Sequence, residues 1–430
     1  MIINVAARSS ALSKAQVKEV QLLLLGQGDA IEFRTFFVES TGDLDQRTSL
    51  RALGKTDFFT KEVDELLLTE RCRIAIHSAK DLPDPLPAGL QIVALTQGLD
   101  PSDALVLRDN VTIDSLSSGA VIATSSERRE AAIKILRNDL KFIDLRGTIH
   151  QRLDKLHSGA ADGVVIAEAA LIRLGLTHLN RVRLPGETTP LQGQLAIVAR
   201  AGDAEMRQLF AKLDCRPSLC LGIDIPKRFQ NRMIHHHPII QISPRANTHA
   251  DIKEAFLQLK NFTHIIFTSK VGVKLFFQQL ASFGYDISSL ANKRLVAVGA
   301  ETAQVIREYD ANVHLISKDE HAEGLVSVLQ DKLGAEDFVL WPHSSISRQV
   351  LPDFFQRNKV RYVECILYDT GRNEKHEARD LSSYGEIIFT SPSTVDAFLE
   401  IYGCLPNNIW LTPIGPVTEK HLITEVHREG

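Results

Sequence analysis

The sequence predicts an α/β protein: a two-lobed, doubly wound clamp, followed by a second two-lobed α/β module. Three observations lead to this fold class. Strands alternate with helices throughout the first half, which favours a mainly parallel sheet. Residues 98–103 interrupt that alternation and would serve as a hinge between two such units. The second half contains two copies of a strand that ends in Phe-Thr-Ser, which indicates an internal duplication.

Composition is that of a globular protein with several domains. The chain has 430 residues, of which 44% are hydrophobic and 24% are charged. Its net charge of −4 gives no reason to expect nucleic acid or an anionic membrane as a partner. The five cysteines form no metal-spaced cluster, and no apolar run approaches the roughly 18 residues of a membrane span. We therefore expect a cytoplasmic protein without a metal site or a signal peptide.

The first half is predicted to form two lobes. Predicted strands cover residues 2–7, 33–38, 74–76, 104–107, 121–123 and 164–167. Predicted helices cover 61–68 and 206–213, and a first helix follows Ser13 with apolar residues spaced along 17–25. Ser13 is a plausible N-cap for the first of these helices. We expect the first lobe to comprise about residues 1–97 and 192–214, the second lobe about 98–191, and a separate region 217–430.

Lys80 and Asp81 form the candidate catalytic pair. They follow the short apolar strand at residues 74–76, and ligands in open α/β sheets bind beyond the carboxyl ends of strands. The adjacent cation and carboxylate would each favour the other's charged form. An isolated Lys-Asp pair is more often part of a solvated loop. The argument that this pair is catalytic therefore depends on the other loops at the same sheet edge.

Those other loops are rich in cations and hydroxyl groups. Guanidinium groups and helix N-termini both suit carboxylate or phosphate ligands, and so many cations in one cleft would repel one another unless a polyanion filled it. Asp81 is expected to be the lone carboxylate among them. The predicted ligand-binding residues are Arg8, Ser10, Thr124, Ser125, Ser126, Arg128, Arg129, Arg146, Arg152 and Arg173.

Five motifs in the first half resemble porphobilinogen deaminase, also called hydroxymethylbilane synthase, in order and spacing. They are Ala7-Arg8-Ser9-Ser10, His77-Ser78-Ala79-Lys80-Asp81, Thr124-Ser125-Ser126-Glu127-Arg128-Arg129, Leu145-Arg146-Gly147-Thr148 and Gln192-Gly193-Gln194. The resemblance covers about residues 1–214 and implies a periplasmic-binding-protein-like clamp. It implies that Asp81 is the catalytic aspartate, that Ser78 contacts substrate, and that the arginines bind acetate and propionate groups.

The resemblance implies a reaction for which one acid suffices. Porphobilinogen loses ammonia to give an electrophilic azafulvene, the terminal pyrrole of the growing chain attacks it, and a proton leaves. A single carboxylate can stabilise the cationic pyrrole nitrogens and move protons through these steps.

The sequence departs from the family in two places. The family holds a dipyrromethane primer on a cysteine in a Gly-Gly-Cys motif of a third domain, but no Gly-Gly-Cys occurs here and the resemblance ends near Asp214. The family's Gly-Gly-Lys loop is altered to Leu53-Gly54-Lys55. Cys215 and Cys220 are the thiols near the break, but a lone cysteine is more often a small buried apolar residue. The expected dipyrromethane is therefore held without a covalent bond, or is not used.

The second half repeats a strand-to-helix turn. Predicted strands at residues 219–223 and 239–242 precede the paired segments 265–269 and 387–391, and His235-His236-His237 is interpreted as a loop rather than a metal site. The turns would line a cleft between two similar lobes with hydroxyl groups and helix amides, although each hydroxyl could equally be only a helix cap. The candidate binding residues are Ser269, Thr302, Ser391 and Thr418.

This half resembles uroporphyrinogen-III synthase across about residues 217–430. The paired Phe-Thr-Ser motifs carry the resemblance, together with Val298-Gly299, Glu323-Gly324-Leu325, Leu367-Tyr368 and Ile414-Gly415-Pro416. The family closes hydroxymethylbilane into a ring and inverts its last pyrrole, by folding the substrate rather than by strong acid–base catalysis. The resemblance makes Tyr368 the candidate proton donor to the leaving hydroxyl.

Two functions follow as hypotheses. The first is a bifunctional enzyme that polymerises porphobilinogen and cyclises the product, with small-molecule substrates and neither nucleic acid nor membrane as a partner. The alternative is that the deaminase half only binds polycarboxylates or other anions, with synthase activity alone. A Lys80-Asp81 pair beside the arginines favours catalysis, because Asp81 would repel the carboxylates of a ligand that is merely bound.

Overall fold

The computed structural model describes residues 1–26, 28, 31–45, 48, 56–229 and 233–429. The altered loop Leu53-Gly54-Lys55 therefore lies outside the described residues. Two compact units are present: the first is Met1–Ser218 with Leu381–Glu386 and Pro406–Trp410, and the second is Leu219–Asp380, Ile387–Leu405 and Leu411–Gly430. Among the described helices, none is both long and apolar enough to cross a membrane.

The first unit's main segment begins with alternating strands and helices as predicted, but within residues 74–123 and 181–200 successive strands follow one another without an α-helix between them. Its strands are β1 (Ile2–Arg8), β2 (Glu32–Val38), β3 (Ile74–Ser78), β4 (Leu90–Leu95), β5 (Asp103–Leu107), β6 (Val121–Ala123), β7 (Lys141–Ile143), β8 (Gly163–Ala167), β9 (Arg181–Arg183) and β10 (Leu195–Arg200). Its helices are α1 (Ala11–Gly26), α2 (Thr41–Leu44), α3 (Lys61–Leu68), α4 (Glu127–Leu136), α5 (Ile149–His157), α6 (Glu168–Arg173) and α7 (Ala204–Phe210).

These strands form two five-stranded sheets, one in each lobe. The first has the order β2-β1-β3-β10-β4 and the second the order β7-β6-β8-β5-β9. The expectation of mainly parallel sheets holds for four of the five strands in each sheet, while the fifth strand runs in the reverse direction. β1 is parallel to β2 and β3, and β6 to β7 and β8, but β10 and β5 each run antiparallel to both of their neighbours. The reason is that β5 and β10 are the first strands after the chain crosses between lobes, and each inserts into its sheet in the reverse direction.

The burial of the central strands explains their apolar runs. Every residue of β5 and β8 is buried, as are residues 74–77 of β3 and residues 195–199 of β10. Strands covered on both faces are apolar at consecutive positions instead of alternating. The polar residues that would bind a ligand are therefore confined to the loops at the strand ends.

The first helix begins three residues earlier than its predicted cap would place it. α1 starts at Ala11, and the Ser10 hydroxyl accepts a hydrogen bond from the Ser13 amide at 3.2 Å. The prediction of Ser13 as N-cap is wrong, because β1 ends at Arg8 and the chain turns into the helix at once. Ser10 is thereby held at the N-terminus of α1, just beyond the carboxyl end of β1.

The remaining elements build two further sheets. The strands are β11 (Ser218–Cys220), β12 (Ile234–His236), β13 (Ile240–Pro244), β14 (His264–Phe267), β15 (Arg294–Ala297), β16 (Val313–Ile316), β17 (Phe338–Ser344), β18 (Arg361–Arg372), β19 (Glu386–Phe389) and β20 (Trp410–Pro413). The helices are α8 (Ala250–Leu257), α9 (Lys270–Ser282), α10 (Ala300–Arg307), α11 (Ala322–Leu329), α12 (Val350–Arg357), α13 (Pro392–Tyr402) and α14 (Pro416–Glu429). The sheet orders are β12-β11-β19-β20 and β13-β18-β17-β14-β15-β16.

The duplicated strand-to-helix turn is present once in each of these sheets. β14 leads into α9 through Ser269, whose hydroxyl accepts from the Gly272 amide, and β19 leads into α13 through Ser391, which forms a capping box with Thr394. The prediction of a second two-lobed α/β module is confirmed. The loop interpretation of the histidine triplet is wrong for His235 and His236, which lie in β12.

Candidate functional site

The turn that carries Lys80 and Asp81 is fixed by its neighbours. β3 ends at Ser78 and passes into a one-turn 3₁₀ helix, Ala79–Asp81. The Ala79 amide donates to the Gln194 carbonyl at 3.0 Å, and the Ser78 hydroxyl accepts from the Gln16 side chain at 2.8 Å. The backbone and side-chain bonds together place both candidate residues at the end of the central strand.

Lys80 is a partly buried cation whose pKa is lowered. Its Nζ donates to Gln192 Oε1 at 3.0 Å. Burial lowers the pKa of Lys80 most, Arg129 lowers it further, and Asp81 and Asp103 oppose this, so that the pKa falls to about 8. Lys80 is therefore mostly protonated at neutral pH, and loses its charge under mildly alkaline conditions.

A cavity of about 390 Å³ lies beside this turn and is lined by both lobes. Phe59 and Asp43 line it as well, as does the N-terminus of α5. Eight of the residues predicted from sequence line this cavity: Arg8, Ser10, Ser78, Lys80, Asp81, Arg129, Arg146 and Arg152.

Asp81 is an available carboxylate in this cavity, which the exposed Glu39 also lines. Within the described part of the chain its side chain accepts no hydrogen bond, although the charges of Lys80 and Arg152 act on it. Arg152 in turn donates through Nε to the Gly147 carbonyl at 2.8 Å, and burial lowers its pKa to about 10. Asp81 can therefore interact with a ligand without breaking an existing bond.

Arg146 is the cation best placed to receive an anion. Its side chain is 9% exposed, and Nη2 donates to the carbonyls of Gly42 (3.3 Å) and Asp45. Its Nε and Nη1 are buried and have no hydrogen-bond partner among the described residues. Burial, more than any charge nearby, lowers the pKa of this guanidinium. Buried donors without partners are costly, and carboxylate oxygens of a bound ligand could satisfy them.

The expectation that Asp81 is the lone carboxylate among the arginines is wrong. Asp43 pairs with Arg8, and Asp103 pairs with both Arg128 and Arg129 at 2.6 Å. Burial raises the pKa of Asp103, but the charges and hydrogen bonds of its arginines outweigh it and the net change is downward. These carboxylates are distant in sequence from their partners, so the pairing could not be read from the motifs.

Several predicted residues support the site from outside the cavity lining. Arg173 donates to Glu19 at 2.7 and 3.0 Å and lines a separate groove on α1. Arg128 donates to the Glu187 carbonyl at 2.7 Å as well as to Asp103. The hydroxyls of Thr124, Ser125 and Ser126 are likewise outside the lining, and that of Ser125 bonds the Leu145 backbone, which positions the Arg146 loop.

Two residues were missed as functional candidates. Phe59 lines the cavity, and the Arg8 guanidinium carbon lies over its ring, 4.8 Å from the ring centroid. Gln192 bonds Lys80 and is buried. Gln192 lies inside the Gln-Gly-Gln motif already noted, so the signal was present, whereas an aromatic pair such as Phe58-Phe59 resembles ordinary core sequence.

The second unit has a larger cavity of about 730 Å³. The N-termini of α11, α13 and α14 reach it through His321, Ser391 and Val417, and Thr418 also lines it. Helix N-termini attract carboxylates. The basic side chains at this cavity are His321, Arg348, Lys420 and His421.

The remaining predicted residues of this half lie beneath the cavity surface. Tyr368 is 5% exposed, and its hydroxyl lies 2.9 Å from Ser269 Oγ. Neither of them lines the cavity, nor does the buried Thr302, but Thr268 next to Ser269 does. Burial raises the pKa of Tyr368, which its hydrogen bond to Ser269 partly offsets. The Tyr368 hydroxyl therefore contacts Ser269, the residue next to the cavity-lining Thr268, and does not itself line the cavity.

The first unit thus defines a class of protein: a two-lobed α/β clamp in which Asp81, an acid at the end of the central strand, and several cations face the same cavity. Such a site suits chemistry on a polycarboxylate ligand. The described residues include no group of three His, Cys, Asp or Glu side chains that could hold a metal.

Comparison with known proteins narrows this class to a family. Residues 3–208 match the family model "Porphobilinogen deaminase, dipyromethane cofactor binding domain", and residues 232–427 match "Uroporphyrinogen-III synthase HemD". A probable porphobilinogen deaminase of Chlamydia pneumoniae is 39% identical over 216 residues, which are 50% of this chain and 92% of that protein. The chain belongs to the porphobilinogen deaminase family, and a uroporphyrinogen-III synthase region is fused to it.

Other relatives extend beyond the matched region. Porphobilinogen deaminase of Roseiflexus castenholzii is 35% identical over 215 residues, or 49% of this chain and 71% of that protein. Among solved structures, a mutant uroporphyrinogen III synthase from Thermus thermophilus has a TM-score of 0.39 and 15% identity, covering 49% of this chain and 90% of that chain.

Proposed function

We propose that the first half condenses porphobilinogen to hydroxymethylbilane with release of ammonia, and that the second half closes this product to uroporphyrinogen III. The observation that carries the proposal is the state of Asp81. It faces the cavity without a hydrogen bond in the described structure, while Asp43 and Asp103 are already paired with arginines. A carboxylate left free among cations is suited to chemistry rather than to structural support.

Asp81 would act through its charge and its capacity to exchange a proton. Loss of ammonia leaves positive charge on the pyrrole of porphobilinogen, which an adjacent carboxylate stabilises. After the new carbon–carbon bond forms, a proton must leave the ring carbon that attacked, and the same carboxylate can accept it. Lys80 lies beside Asp81 in the same one-turn helix and contributes a positive charge to the site.

The cations would bind the acetate and propionate groups of the substrate. Arg146 offers two buried donors without partners among the described residues, Nε and Nη1, which point to different sides of the guanidinium and could each bind a substrate carboxylate oxygen. The Arg152 side chain makes a single hydrogen bond in the described structure, to the Gly147 carbonyl, so most of its guanidinium donors also remain for a ligand. Arg8 and Arg129 are already paired with Asp43 and Asp103 and would contribute charge more than new hydrogen bonds.

We infer that a dipyrromethane primer, if bound, is held by these cations without a covalent bond. When bound, it would supply the pyrrole carbon to which the first porphobilinogen is joined. The unpaired donors of Arg146 fit its carboxylates. Cys215 accepts a hydrogen bond from Gln194, Cys220 is fully buried, and neither lines the cavity. Burial raises the pKa of both thiols, which disfavours the thiolate needed to form a thioether.

In the second half, the helix N-termini and hydroxyls would hold the carboxylate arms of hydroxymethylbilane in a folded arrangement. Holding the reacting ends together is itself a large part of catalysis for a ring closure. Tyr368, whose pKa is raised by burial, would be the proton donor to the leaving hydroxyl, and its hydroxyl is bonded to Ser269, next to the cavity-lining Thr268. A cytoplasmic location is part of the proposal, and the five free thiols support it.

The direct test is to incubate the purified chain with porphobilinogen and identify the uroporphyrinogen isomers formed. We expect isomer III, and expect Asp81→Ala to reduce porphobilinogen consumption below a tenth of the wild-type rate. The matched control is Asp84→Ala, which removes an exposed carboxylate from the same loop and should leave the rate near that of wild type.

The other outcomes separate the two halves. Consumption with isomer I alone would mean that the second half does not direct ring closure. No consumption, together with isomer III from added hydroxymethylbilane, would favour the alternative in which the first half only binds anions. An Asp81→Ala variant with a tenth or more of the wild-type rate would remove Asp81 from the mechanism.

A further inference from the structure

Gln192 lies between the catalytic turn and the segment that enters the second lobe. It is 4% exposed. Its Oε1 accepts from Lys80 Nζ at 3.0 Å, while its Nε2 donates to the Pro101 carbonyl at 2.6 Å and to Asp103 Oδ1 at 3.0 Å. Both crossover segments of the clamp therefore meet at one buried side chain.

The two ends of the Gln192 amide are matched to different partners. Lys80 can only donate, so it requires the carbonyl oxygen, and the three acceptor oxygens from residues 101–103 require the amino group. A carboxylate at this position would face those oxygens with a repulsive charge, and an apolar side chain would leave Lys80 without its acceptor. The contacts therefore require an amide side chain, with its oxygen towards Lys80 and its amino group towards residues 101–103.

Gln192 also joins Lys80 to the paired arginines of the second lobe. Asp103 is 1% exposed and holds Arg129, which lines the cavity, and Arg128. A continuous polar chain thus runs from Lys80 through Gln192 and Asp103 to these guanidinium groups. The backbone around Gln192 is constrained too, since Leu191 has φ +63° and a Cβ on Gly193 would lie 2.7 Å from the Leu99 carbonyl oxygen.

We propose that Gln192 is a positioning residue, which holds the Lys80 ammonium beside Asp81 and links it to the arginine pair of the second lobe. This role rests on the proposed deaminase function. Without the Gln192 acceptor, Lys80 would keep its neighbours Arg129 and Arg152 as repelling charges and only Asp81 and Asp103 as attracting ones. The turn would then hold a less stable cation at the position where Asp81 needs one.

The test compares two substitutions with opposite electrostatic effects. Gln192→Leu removes the acceptor and should favour neutral Lys80, whereas Gln192→Glu places a negative charge there and should favour the ammonium. Lys80 can be probed without turnover by labelling with trace acetic anhydride, which reacts with the neutral amine, followed by peptide mass spectrometry across about pH 5–10.

At about pH 6 we expect acetic anhydride to label Lys80 about tenfold faster in Gln192→Leu than in wild type, because one hydrogen bond to a charged group is lost. In Gln192→Glu we expect Lys80 to be labelled more slowly than in wild type. The basic limb of the rate of porphobilinogen consumption should move to lower pH in the first variant and to higher pH in the second. Gln194→Leu is the matched control, because the Gln194 side chain contacts Cys215 and not Lys80. Lys80 in the Gln194→Leu variant should be labelled at the wild-type rate.

Equal labelling in all variants would overturn the proposal. Faster labelling in both Gln192 variants would also overturn it, since that result indicates a loosened turn instead of a specific contact. If wild type consumes no porphobilinogen, the proposed function fails, but the labelling rates still decide whether Gln192 positions Lys80.

Discussion

Replacing Arg146 by alanine should weaken substrate binding, because its guanidinium would donate to a substrate carboxylate. Arg146 is buried, and its Nε and Nη1 have no partner in the described structure. Hydrogen bonds to charged groups contribute about 1.5–3 kcal/mol, so loss of this contact should weaken binding about 10- to 150-fold. The bonds from Nη2 to the Gly42 and Asp45 carbonyls are lost as well, which should lower thermal stability modestly.

The assay is calorimetric titration of porphobilinogen into chains that also carry Asp81→Asn, so that no turnover occurs. Arg128→Ala in the same background is the matched control, because Arg128 is bound to Asp103 and the Glu187 carbonyl and does not line the cavity. Its affinity should change by less than that of Arg146→Ala. Equal affinities for the background chain and the Arg146→Ala chain would mean that its unpaired donors do not receive the substrate carboxylate.

Two further predictions concern the other half and the primer. Tyr368→Phe should slow ring closure and raise the share of isomer I formed spontaneously, because the hydroxyl bonded to Ser269 is lost; an unchanged yield of isomer III would remove Tyr368 from the mechanism. Intact-protein mass spectrometry under denaturing conditions should give the mass of the bare polypeptide. An added dipyrrole mass that disappears in Cys215→Ser or Cys220→Ser would contradict non-covalent binding and identify the anchor.

Local pattern was enough to predict much of the fold. Buried strands such as β3 and β8 are uninterrupted apolar runs, and α3 was predicted with the bounds that the structure has, Lys61–Leu68. The repeated Phe-Thr-Ser turns predicted equivalent helix caps at Ser269 and Ser391. These features depend on residues close together in sequence, so hydrophobic periodicity and capping chemistry suffice to find them.

Sheet direction was not predictable in the same way. β5 and β10 have the composition of any buried strand, and only their entry from the other lobe makes them antiparallel to their neighbours. An apolar run buried on both faces looks the same in either direction, because burial does not depend on strand polarity.

The sequence by itself determined which residue types would surround the cavity, and the tertiary structure decided which of them are free to act. Arg173 pairs with Glu19, 154 residues away, and Arg128 and Arg129 pair with Asp103, while Arg146 and Asp81 keep groups without partners in the described structure. Ion pairing depends on distances of a few ångströms between side chains. Those distances are set by tertiary packing, within the second lobe for Asp103 and between the lobes for Arg173 and Glu19, rather than by spacing along the chain.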